Sequence, residues 1–255
     1  ARHESLKSAV DKVEWVPTRG LVERLRAVKD EEELTAIRRA VALADEALMA
    51  TMPTLRPAMT EREVAWRLET YMRERGASKV SFDIIVGSGP NGAKPHATVS
   101  DRALAAGEPI VIDMGCVVEG YCSDLTRTLV LGQPDGRFRE LHSLVLQAQE
   151  AAERGMRAGL TGREADALAR QVITAAGHAE EFGHSLGHGV GLEIHELPLV
   201  GHQGEDPLVQ GMVCTVEPGV YLPDWGGIRI EDMVVVREDD VEVLTACTKD
   251  PVIPL

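Results

Sequence analysis

Apolar residues recur at helical spacing in four stretches of the chain and bunch into short β-branched runs elsewhere. Leu34, Ile37, Val41, Ala44 and Leu48 form one helical stripe. Asp30 with Glu33 makes a capping box at its start, and Pro53 and Pro57 end it. Thr60 with Glu63 opens a second helix carrying Val64, Leu68, Tyr71 and Met72 and closing at Gly76. A third long helix carries Phe138, Leu141, Leu144, Val145, Ala148, Ala152 and Met156. Thr161 with Glu164 opens a fourth, which carries Leu168 and Val172 and closes at Gly177. Between the helices, 80–86, 109–118, 121–131, 212–220, 227–236 and 241–244 are predicted as strands. The segment 109–131 reads as a hairpin turning at Glu119-Gly120, which puts Asp113 and Asp124 in diagonal positions on one face. Residues 1–29 lack a sustained core pattern, and Val13, Trp15, Val16 and Pro17 are expected to form a short strand and an exit.

The pattern repeats. Thr60-x-x-Glu63 to Gly76 and Thr161-x-x-Glu164 to Gly177 are offset by 101 residues, with Arg62 and Arg163 in register. Each copy follows a long helix and precedes strands bearing carboxylates: Asp113 and Asp124 in the first, Glu217 and Glu231 in the second. A true repeat would bring the four acids to the interface of two halves.

Composition narrows the field. A formal net charge of −14 argues against nucleic acid and anionic membrane as partners, since both require a basic face. It also supplies the oxygen ligands that hard divalent cations need. No apolar run approaches the roughly 20 residues that span a bilayer, and no signal-peptide pattern opens the chain. Cys116, Cys122, Cys214 and Cys247 make no C-x-x-C pair and read as reduced thiols, which points to a cytoplasmic protein.

The richest chemistry lies between Gly183 and Glu196, where His184, His188 and His195 fall within twelve residues among glycines. Imidazole serves as a metal ligand and as an acid or base near neutral pH. On its own the stretch reads equally well as a glycine-rich turn with hydrogen-bonded histidines. Taken with Asp113, Asp124, Glu217 and Glu231, His188 completes a hard, oxygen-rich set suited to paired Mn, Co or Zn ions.

These motifs resemble a known family. Asp113-Met-Gly, Ser123-Asp124, His184-x-x-x-His188-Gly-x-Gly, His195-Glu196-x-Pro198, Glu217-Pro-Gly and Arg229-Ile-Glu231 look like the pita-bread metallopeptidases. That group includes methionine aminopeptidase, prolidase and Xaa-Pro aminopeptidase. Gly89-Pro-Asn-Gly-Ala-x-Pro95-His96 and Gly226-Gly-Ile-Arg-Ile-Glu-Asp232 are similar to its proline-directed branch. The resemblance implies an α+β pita-bread fold, an antiparallel sheet with flanking helices and an internal pseudo-twofold repeat. It implies an exopeptidase of Xaa-Pro bonds using two divalent ions, Mn ahead of Co or Zn, on proline-containing peptides. Asp113 would hold one ion, His188 and Glu217 the other, and Asp124 and Glu231 would bridge. Glu217 would also move the proton, His184 and His195 would contact substrate, His96 would line the leaving-group side, and Arg229 would orient the ligands.

Residues 30–255 carry the resemblance. Residues 13–30 resemble the tail of a smaller N-terminal domain, of which 1–29 would be a remnant or linker, so the chain is expected to be the catalytic part of a longer protein, a homodimer at full length. Apolar surface near Trp15 and Trp66 should then be uncovered. Two departures stand out. Lys94 precedes Pro95-His96 where a small or apolar residue is common. Leu199 follows His-Glu-x-Pro where several prolidases carry an arginine. An arginine could fork onto the free carboxylate of a dipeptide, so its absence tips the reading towards an aminopeptidase over a dipeptidase. A non-catalytic peptide-binding relative and a metal-independent hydrolase are the remote alternatives.

Overall fold

The computed structural model describes residues 2–10 and 12–255. Helices α1 (Arg2–Ala9), α2 (Leu21–Ala27) and α3 (Glu31–Thr51) lead into α4 (Glu61–Glu74). Helices α5 (Gly136–Gly155) and α6 (Gly162–Ala175) form the matching pair of the second half. Both predicted Thr capping boxes and the Asp30 box are closed, with the cap side chain and the Glu at the third helical position each accepting a backbone N–H. Gly76 and Gly177 take positive φ just past their helices, as the sequence suggested.

The first half carries a four-stranded sheet in the order β14 (Val252–Ile253), β6 (Leu125–Leu131), β3 (Pro109–Met114), β2 (Ile85–Ser88). The second carries a five-stranded sheet in the order β13 (Val241–Val243), β12 (Asp232–Val236), β9 (Val213–Val216), β7 (Gly187–Gly189), β8 (Glu196–Val200). Two small sheets complete the set: β1 (Lys79–Val80) with β4 (Cys116–Val118) and β5 (Tyr121–Cys122), and β10 (Gly219–Leu222) with β11 (Gly226–Arg229). One core packs α5 and α6 on the second sheet, another packs α3 and α4 on the first. The repeat extends to details: Arg62 pairs with Asp101 and Arg163 with Glu205, and Thr60 and Thr161 each make an isolated antiparallel bridge, to Ala103 and Pro207.

Several expected strands are interrupted. The run 80–86 divides because β1 pairs with β4 while β2 pairs with β3, so 81–84 carry the chain from one sheet to another. The runs 212–220 and 227–236 break at 217–218 and at 230–231, where the chain leaves the large sheet for the β10–β11 ribbon. Residues 13–16 form no strand. They lie exposed between α1 and α2, with Trp15 37% accessible; Trp66, on α4, is 67% accessible.

Candidate metal centre

The 109–131 hairpin turns on Glu119 and Gly120, both at positive φ, the conformation of a primed two-residue turn. Val118 faces Tyr121 and Asp113 faces Thr126, so Asp124 sits diagonally from Asp113 on the same face, as the spacing predicts. Asp124, Glu217 and Glu231 all fall in strand interruptions, where the backbone is free of the ladder and can turn a carboxylate inward.

All nine sequence-predicted site residues line one cavity of about 790 Å³: His96, Asp113, Asp124, His184, His188, His195, Glu217, Arg229 and Glu231. His188 Nε2 stands 3.3 Å from Glu217 Oε1 and 3.5 Å from Asp124 Oδ2. Its Nδ1 faces the Gly189 carbonyl at 3.2 Å, which directs Nε2 at the acids. Thr215 Oγ1 fixes both partners, donating to Glu217 Oε1 and accepting from the His188 N–H. One ligand atom each from Asp124, His188 and Glu231 lies within 4.8 Å of the others.

Burial pushes the Asp124 carboxyl well up, and repulsion from Glu231, Asp113 and Glu217 adds to it. Glu231 is driven up the same way, by burial and then by Glu217 and Asp113. Burial also raises Glu217 and lowers His188, leaving the imidazole neutral and able to ligate. Arg229 contributes one guanidinium against four carboxylates, reaching Asp113 Oδ2 at 2.5 Å, Thr126 Oγ1 at 3.0 Å and the Tyr221 hydroxyl at 2.7 Å. Asp113 Oδ1 is buried with no hydrogen-bond partner. An excess of buried negative charge, an orphaned carboxylate oxygen and an aimed neutral imidazole are the donor set of a divalent cation.

The remaining histidines differ. His184 has both ring nitrogens engaged, Nδ1 with the Ser185 carbonyl at 2.7 Å and Nε2 with the Tyr221 hydroxyl at 3.0 Å. Tyr221 accepts from Arg229, so its proton points at His184 Nε2. His195 is exposed on the cavity wall, its ring centroid 4.1 Å from that of His188. His96 is exposed and lines the same cavity. Lys94 does not line the cavity, so it leaves the pocket's polarity unchanged; its ammonium faces Asn91 Oδ1 at 3.4 Å.

Sequence reasoning passed over several residues that build the site, Thr215 among them. Tyr221 and Thr126 tie Arg229 and Glu231 together. Glu61, fully buried, accepts from Ser88, Asn91 and Ser100 and so anchors the loop that carries His96. Lys29, joined by Arg26, pairs with Glu196 at 2.7 Å and secures the strand beginning beside His195. Only the capping box at Thr60 hinted at any of these, by marking Glu61 as the first helical residue.

The metal-binding arrangement agrees with what the chain is similar to. Residues 35–238 match the family described as Metallopeptidase family M24. The chain is 40% identical over 247 residues to the Xaa-Pro dipeptidase of Pyrococcus furiosus, covering 97% of this chain and 71% of the relative. An Xaa-Pro dipeptidase from Bacillus anthracis superposes with a TM-score of 0.95 at 45% identity, over 99% of this chain and 71% of the other. An X-Pro aminopeptidase from Thermotoga maritima gives the same TM-score at 42% identity, over 99% of this chain and 72% of the other. With the family pattern spanning most of its length, the chain belongs to metallopeptidase family M24.

Proposed function

We propose that the protein is a metal-dependent exopeptidase that hydrolyses Xaa-Pro bonds. The observation that carries this reading is the single cavity that unites the four carboxylates, His188 and the two accessible histidines, His96 and His195. Two divalent cations, Mn ahead of Co or Zn, would be held by Asp113, Asp124, His188, Glu217 and Glu231 and would supply Lewis-acid polarisation and an activated water. Glu217, its affinity for a proton raised by burial, accepts the proton of the attacking water and passes it to the proline nitrogen. As in any amide cleavage, the departing nitrogen must gain a proton as the C–N bond breaks; in an Xaa-Pro bond it carries no hydrogen of its own. His195 offers a hydrogen bond to the developing oxyanion, and His96 faces the proline side. Arg229 holds Asp113 in place, and His184 acts through Tyr221.

Relatives named as dipeptidases support that reading of the substrate at least as well as the aminopeptidase reading. What favours acceptance of longer peptides is the cavity wall. Leu199, Trp66, Phe82 and Ile194 line it, and its two arginines, Arg62 and Arg229, are paired with Asp101 and Asp113. Lys94, Arg102 and His202 do not line it. Hydrolysis of Ala-Pro and Ala-Pro-Ala with added Mn²⁺ tests both points. Cleavage of either supports an Xaa-Pro peptidase, and cleavage confined to Ala-Pro would show the dipeptidase reading to be right.

Among the described residues no helix is long and apolar enough to cross a membrane. All four cysteines are buried and free, which supports a reducing, cytoplasmic setting.

A further inference from the structure

Asp124 and Glu231 sit beside strands of different sheets. Strand β6 pairs with β3 and β14, and β12 pairs with β9 and β13, so no ladder sets the distance between the two acids. The seam is closed instead by side chains of three successive β6 residues: Thr128 Oγ1 accepts the Arg229 N–H at 2.9 Å and donates to its carbonyl at 3.0 Å, while Thr126 and Arg127, nearer the acids, face opposite ways. On the cavity side, Thr126 Oγ1 donates to Glu231 Oε2 at 2.6 Å. On the far side lies Arg127, 2% exposed.

A guanidinium has five N–H donors, and each of Arg127's has an acceptor. Nε reaches the Thr248 carbonyl at 2.9 Å. One terminal nitrogen reaches the carbonyls of Thr126 at 3.0 Å and Glu231 at 2.5 Å. The other reaches Asp232 Oδ1 at 2.8 Å and the Cys247 carbonyl at 2.7 Å. Asp232, fully buried, is held in turn by Lys249 at 2.6 Å and Gln149 at 2.9 Å. The Glu231 N–H donates to the same Thr126 carbonyl at 3.1 Å. A buried ion pair is a weak source of stability, because desolvation offsets the attraction. A planar fork binding four carbonyls from three separate segments is, however, a means of fixing geometry.

We propose that Arg127 is a positioning residue for the metal centre: it holds the Glu231 backbone against β6 and so sets the spacing of Asp124 and Glu231 at which divalent metal binds. This rests on Asp124 and Glu231 being metal ligands, and it does not depend on the Xaa-Pro specificity. The variant Arg127→Lys keeps the charge but cannot span the five acceptors. Lys249→Met cuts the same network on the far side of Asp232 and leaves every bond to Glu231 in place.

Equilibrium dialysis of Mn²⁺ into the metal-stripped proteins, beside their thermal unfolding, separates positioning from stability. Arg127→Lys should bind Mn²⁺ about 10–100-fold more weakly than wild type, the usual effect of losing a partner that orients a ligand. Lys249→Met should stay within about threefold of wild type even where its Tm falls as far. Unchanged Mn²⁺ affinity in Arg127→Lys overturns the proposal, as does a loss in both variants that simply follows Tm. Should Arg127→Lys not fold, Asp232→Asn takes its place, with an expected loss of about tenfold and unchanged affinity again counting against it. A wild type that takes up no Mn²⁺ would remove the ligand assignment itself, whereas one that binds Mn²⁺ but cleaves no Xaa-Pro bond would break only the proposed function.

Discussion

The two halves start their second helices with the same capping box and then put the next residue to opposite uses. In the first half that residue is Glu61, a buried carboxylate that gathers Ser88, Asn91 and Ser100 and thereby holds the loop of His96. In the second half it is Gly162, where a Cβ would stand 1.9 Å from the Leu199 carbonyl. The missing side chain lets β8, which begins one residue after His195, lie directly on the helix start. The shared element is therefore a scaffold, and the position after the cap decides how each half presents its histidine. At that position one half has a polar anchor and the other a backbone contact, which the Lys29 and Arg26 pairs with Glu196 then reinforce. The carboxylates show the converse: Asp113 and Asp124 come from the first half, Glu217 and Glu231 from the second, and they meet in one cavity.

If the halves contribute equally to the centre, Asp124→Asn and Glu231→Gln should lose similar amounts of turnover. We expect two to three orders of magnitude each, the scale of removing one preorganised charge at the reacting atoms. Steady-state rates on Ala-Pro would show it, and a large loss in only one would break the symmetry.

The histidines should sharpen the contrast. His195→Ala should lower kcat by roughly 10²–10³, while His96→Ala, which the proposed function puts on the proline side, should mainly raise KM. His184→Ala should fall between them, because its nitrogens are already satisfied by Ser185 and Tyr221.

Smaller effects come from the helix starts. Gly162→Ala must move backbone, so overpacking should cost about 1–3 kcal/mol of stability in urea unfolding. Glu61→Gln keeps the shape and loses charge-assisted bonds, for about 1.5–3 kcal/mol, with KM rising as the His96 loop loosens. Equal kinetic losses in the two variants would contradict the division of labour drawn here.

A further effect, confined to acid pH, comes from a buried histidine. His142, in the core of the second half against Phe138, is pushed down to about 4 by burial. Its folded value lies below the unfolded one of 6.5, so the unfolded chain binds more protons in between. Stability is thus complete above pH 6.5 and declines as pH falls towards 4, by at most about 3 kcal/mol. His142→Gln should flatten that decline in chemical unfolding measured from pH 7 to pH 4.

Much of this was readable in the chain. The three capping boxes and the Asp113–Asp124 diagonal are set by neighbours a few residues apart or by one tight turn, and local spacing is visible in a sequence. The nine residues of the cavity were visible because their motifs resemble a family. The strand breaks at 217–218 and 230–231 were not, since apolar residues flank Glu217-Pro218 and Glu231 closely on both sides and only the pairing partner changes. Neither was Thr126 on Glu231, nor Lys29 on Glu196, 105 and 167 residues apart, because nothing local marks a threonine or a lysine for such a partner.

The central claim is that both halves together hold a metal pair. Metal analysis by equilibrium dialysis of the stripped wild type and Asp124→Asn against Mn²⁺ tests it most directly. Two equivalents per chain in the wild type, and at least one fewer in Asp124→Asn, are predicted. Full occupancy in Asp124→Asn with undiminished Ala-Pro hydrolysis would contradict it.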